Sequence, residues 1–102
     1  MPAFDRYSVQ LYGGANGLQG LRAAIYLSEG ADGRAWVYFH KAGDPVPADL
    51  ETATGFIVMH LPEARFDSVV DLLRHERPLF ISFASGIARL GTGAEQVGEE
   101  ES

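Results

Sequence analysis

The sequence predicts an α+β fold, a mostly antiparallel sheet of about six strands in the order βββ(β)αββ with one helix packed on one face. Three observations predict it. Short stretches rich in β-branched and aromatic residues recur along the chain, several alternating with the two-residue period of strands. Glycine-containing turn signals separate them. In residues 61–78 alone, the apolar spacing changes to i, i+3, i+4 and i+7, the period of a helix.

The elements follow in order. Tyr7–Tyr12 (YSVQLY) alternates and reads as a first strand, closed by the loose turn GGANGLQG at 13–20. Leu21–Ser28 (LRAAIYLS) and Arg34–Lys41 (RAWVYFHK) flank EGADG, whose Asp-Gly pair signals a tight hairpin. Residues 42–55 (AGDPVPADLETATG), with two prolines, read as a long surface loop. Phe56–Leu61 (FIVMHL) resumes as a strand. Phe66, Val69, Val70 and Leu73 form the stripe of the helix. Asp67 or Ser68 is placed to cap its start, Arg74 and His75 suit its negative end, and Pro78 stops it. PLFISFA and IARLGT then flank Ser85-Gly86 as a second hairpin.

A chain of 102 residues supports one core. Residues 1–97 are expected to form a single domain, and 98–102 an acidic, disordered tail. The absence of cysteine excludes thiol catalysis, thiolate zinc sites and iron–sulfur clusters, and fits the cytoplasm. No secretory signal opens the chain, and no apolar run approaches the roughly 20 residues of a membrane span. The net charge is −6, yet residues 1–94 carry eight bases against ten acids, so most of the acidity is terminal. No Lys/Arg cluster forms the basic stripe that nucleic-acid binding needs. Neither nucleic acid nor a membrane is the expected partner.

Separating the strand faces gives the functional reading. With Tyr26 paired to Trp36, residues Ala23, Ile25, Leu27, Val37 and Phe39 share one face, which Ile57, Met59 and Leu61 join. In the second hairpin Leu79, Ile81, Phe83 and Leu90 lie together. This aliphatic side seats the helix. The opposite side carries Arg22, Tyr26, Trp36, Tyr38, His40, Phe56, Val58, His60 and Phe80, mostly apolar bodies, several with polar tips, as at interfaces and ligand surfaces. The candidate interface or ligand-binding residues are Tyr26, Trp36, Tyr38, His40, His60 and Phe80. Three explanations stand for so apolar a face. The sheet curls toward a barrel and buries it, two copies pack face to face, or a small molecule or peptide binds there.

Chemistry-bearing motifs are weak. GGANGLQG lacks GK[ST], is not GxGxxG, and precedes a strand, so it does not read as a phosphate loop. His40 and His60, with Asp44 or Glu51, have no known metal-ligand spacing, and no metal or cofactor is expected. No GxSxG surrounds Ser82 or Ser85. His75 is explained by the helix end. Arg65, Arg74, Arg77 and Arg89 read as a solvated, carboxylate-paired surface. No catalytic residue is assigned.

The stretches LYGGANGLQ (11–19), LLRHERP (72–78) and LGTGAEQVGEEE (90–101) resemble a group of short bacterial proteins of unknown function. In that group the helix ends in Leu-Arg-x-Glu-x-Pro and the last strand in a Gly-x-Glu-Pro-Val-Gly-Glu tail. The chain departs at Gln96, where the group has proline, which leaves a rigid extended exit unsupported. The resemblance implies a bacterial cytoplasmic single-domain protein and carries no activity, cofactor or catalytic residue. The expected function is a non-enzymatic interaction module that forms a homo-oligomer, foremost a dimer, or binds another protein through the aromatic face. The alternative is a small-molecule binder using the same face, and an enzyme comes third.

Overall fold

The computed structural model describes residues 3–92; the last positions of the expected domain, 93–97, and the acidic tail expected at 98–102 lie outside the described residues. The strands are β1 (Ala3–Phe4), β2 (Arg6–Leu11), β3 (Leu21–Glu29), β4 (Asp32–His40), β5 (Leu50–Glu51), β6 (Ile57–Pro62), β7 (Leu79–Ala84) and β8 (Ile87–Thr92). A 3₁₀ turn, Glu63–Arg65, leads into α1, Phe66–His75, the one α-helix among the described residues. The α+β class and the mostly antiparallel pairing are as the sequence predicts. The strands divide, however, into two open sheets, in the orders β2-β3-β4-β6-β5 and β1-β7-β8, and neither closes into a barrel.

β3 and β4 form the central hairpin with Tyr26 opposite Trp36, the register inferred from the sequence. The turn is not at Asp32-Gly33, which belong to β4, but at Gly30 and Ala31, between Glu29 and Asp32. The Ser85-Gly86 turn is found where expected, with φ of 55° and 78°, the pair of positive values that a type I′ hairpin requires. β6 pairs with β4 in parallel, which needs a long crossover. Residues 41–56 supply it, and the segment expected to be all loop contributes β5 on the outer side of β6. β1, too short to show a period, pairs with β7 and carries the N-terminal segment into the second sheet.

The core is the aliphatic side of β3, β4 and β6 packed against α1 and the second sheet. Phe39, Ile25, Leu27, Ile57, Ile81 and Val37 are fully buried, each contributing about 1.5–3 kcal/mol. Val69 and Leu73 of α1 reach this core, and Phe66 meets Phe39 edge to face at 5.1 Å. Neither Asp67 nor Ser68 caps the helix. The chain enters α1 from the 3₁₀ turn, with Arg65 at the N-cap position making no side-chain bond, so both residues fall inside the first turn.

Candidate functional site: an aromatic sheet face

On the opposite side of the five-stranded sheet, alternation lines up Tyr26, Trp36, Tyr38, His40 and His60, with Phe56 just ahead of β6. Their rings form one chain of contacts. Phe56 lies 6.3 Å from Tyr26, Tyr26 5.0 Å from Trp36, Trp36 5.7 Å from Tyr38, Tyr38 5.7 Å from His60, and His60 5.0 Å from His40. Trp36 and Tyr38 are nearly parallel, at 7°. Cross-strand pairing explains the chain: Tyr26 faces Trp36 across β3 and β4, and Tyr38 faces His60 across β4 and β6. All six rings are half-buried, and none belongs to the core cluster. Ala24, opposite Tyr38, is fully buried yet also outside that cluster. Side chains on this face therefore shield their own floor.

Gly33 makes room for one end of the row. A Cβ at this position would overlap Tyr26 Oη and come within 3.3 Å of Phe56 Cε1. The glycine that signals a turn in the sequence is here the gap into which a tyrosine folds. A register shift between Leu27 and Ser28 adjoins it.

The other end is polar. His40 Nε2 and His60 Nδ1 are 2.8 Å apart, so one ring donates to the other, and the contact is lost when both are protonated. Burial, then the neighbouring His40, hold His60 below the ordinary imidazole range, while Asp49 pulls the other way. Burial, with Tyr12 adding to it, raises the Tyr38 hydroxyl. Asp49, from the crossover, accepts the His60 N–H on Oδ1 at 2.7 Å and the Ala88 N–H on Oδ2 at 2.9 Å. One carboxylate thus joins β6 of the first sheet to β8 of the second. Nothing in the sequence marks Asp49, because its role depends on a parallel crossover that periodicity does not reveal.

The structure gathers Tyr26, Trp36, Tyr38, His40 and His60 in one row. Phe80 sits apart, in β7 of the three-stranded sheet, and makes none of the row's ring contacts. Arg22 also leaves the row, because the register shifts between Leu21 and Ala23. Its guanidinium donates to Gly14 O at 2.9 Å and approaches Glu63 at 3.7 Å. Asp44 and Glu51 do not join the histidines. Among the described residues no group of three or more metal-ligating side chains assembles, and no helix is long and apolar enough to cross a membrane. No protein-family model, curated protein or solved structure matches the chain.

Proposed function

We propose that the protein is a non-enzymatic interaction module that pairs with a second copy of itself through the aromatic face of the five-stranded sheet. The observation that carries this reading is the unbroken row of rings from Phe56 to His40, half-buried on the side of the sheet opposite the core. Aromatic side chains with apolar bodies and polar tips are enriched at interface centres, and a self-complementary two-fold contact is the commonest way to cover such a surface. Leu50, 45% exposed and opposite Val58 on this face, extends the apolar area toward the sheet edge. The absence of cysteine suits a reducing cytoplasm.

Light scattering on the eluting protein tests the proposal, with twice the chain mass expected at micromolar concentration. A second reading, a small planar ligand, draws on the parallel faces of Trp36 and Tyr38. It predicts a monomer stabilised by aromatic compounds, by about 2.7 kcal/mol at 100 times the Kd.

A further inference from the structure

Each open sheet ends in two edge strands, and an edge presents backbone N–H and C=O groups that pair with a strand laid beside it. Most of these edges are guarded. β1 and β5 are only two residues long. β8 has its Ala88 N–H bonded to Asp49 Oδ2 at 2.9 Å and carries the exposed Arg89. β2 differs: it is six residues long, and its pairing with β3 is continuous from Arg6 to Leu11. From Tyr7 to Leu11 it has neither a charge nor a proline, the usual protection of an edge.

Tyr12 N–H donates to Arg22 O at 3.0 Å, and hydrogen-bonded positions alternate along an antiparallel ladder. Arg6, Ser8 and Gln10 therefore bond inward to β3. The backbone groups of Tyr7, Val9 and Leu11 point away from it, where nothing among the described residues meets them. The same three side chains stand opposite Leu27, Ile25 and Ala23, on the core side of the sheet, yet are 40%, 39% and 72% exposed. The cover that α1 and the second sheet give the core thus runs out at β2, which joins a bare edge to an uncovered apolar stripe.

We propose that β2 pairs edge to edge with the β2 of a second copy, antiparallel and centred on Val9, a contact separate from the aromatic face. The outward groups lie symmetrically about Val9, so Val9 on Val9 and Tyr7 on Leu11 pairs every one of them, whereas a two-residue shift leaves some unmet. A one-residue shift turns one apolar stripe to the wrong side. In the centred register the Tyr7 ring meets the Leu11 side chain, Ser8 faces Gln10 and Arg6 faces Tyr12, so no like charges oppose each other. The outward groups lie in the plane of the sheet and the aromatic rings stand on it, so the two contacts do not compete. A seam one strand wide falls in the class of small interfaces, below about 1,200 Å² in total, and therefore forms only in concentrated protein.

Amide hydrogen exchange of the full-length protein tests the seam directly. Exchange at Tyr7, Val9 and Leu11 is expected to slow at least about twofold between about 50 µM and about 1 mM, both in the native chain and in Trp36→Glu. Val9→Lys and Val9→Glu each set like charges face to face at an exposed position outside the β2–β3 ladder bonds, and each alone should lose the slowing. Their equimolar mixture should regain it. Exchange independent of concentration in the native chain would overturn the proposal, as would slowing that persists in Val9→Lys alone, is absent from the mixture, or is lost in Trp36→Glu. Protection that appears on adding an alternating valine–threonine peptide but not on concentrating the protein would also overturn it, by giving the edge to a foreign strand.

Discussion

His40 Nε2 stands 2.8 Å from His60 Nδ1, a contact that needs one imidazole nitrogen free of its proton. His60 is the ring held neutral, because burial and the facing His40 both lower its proton affinity and Asp49 only partly offsets them. An unfolded chain binds the proton at the ordinary value of about 6.5. The unfolded state therefore takes up more protons than the folded state as pH falls below that value. Stability is full above it and declines toward the depressed folded pKa. Thermal unfolding is expected to show a falling Tm from pH 7.5 to 5.5, much reduced in His60→Phe.

The same pair gives a sign test by NMR. Replacing His40 with Phe removes the facing charge, so the His60 titration midpoint should rise. Asp49→Asn removes the one influence that raises it, so the midpoint should fall. A shift in the opposite direction in either variant contradicts the account of the site.

Asp49 also carries a structural prediction. Its two oxygens serve the N–H groups of His60 and of the buried Ala88. Asp49→Ala strands both donors and should cost about 2–4 kcal/mol in chemical denaturation. Asp49→Asn keeps one accepting oxygen and should cost less.

Gly33 and Tyr26 are coupled through space. Gly33→Ala should displace the Tyr26 ring and destabilise by about 1–3 kcal/mol. Tyr26→Phe removes the overlapping hydroxyl oxygen, so the double variant should recover at least about 0.5 kcal/mol relative to additivity.

The central hairpin was legible because slipping β3 against β4 by one residue mixes aromatic with aliphatic side chains, and the observed pairing of Tyr26 with Trp36 keeps them apart. Alternation along Phe56–Leu61 likewise put His60 on the side of the sheet that carries Tyr38. The helix stripe was legible from Phe66 to Leu73, but its start was not, since the entry through Glu63–Arg65 replaces a side-chain cap with backbone geometry. The division into two sheets was hidden as well. Alternation states which side of a strand is apolar and leaves open which strands are neighbours, and that is why Phe80 had the right chemistry for the row but a different sheet. Asp32-Gly33 misled for a local reason: the glycine answers to a ring on the neighbouring strand and not to a turn.

The central claim is that the aromatic face is covered by a second copy, and the most direct measurement is the mass of the native protein beside that of Trp36→Glu, by light scattering at micromolar concentration with circular dichroism to verify folding. The account predicts a dimer that becomes a folded monomer in the variant, because a charge at the centre of the row cannot be buried without a partner. A wild-type monomer, or a dimer that survives Trp36→Glu, would contradict it.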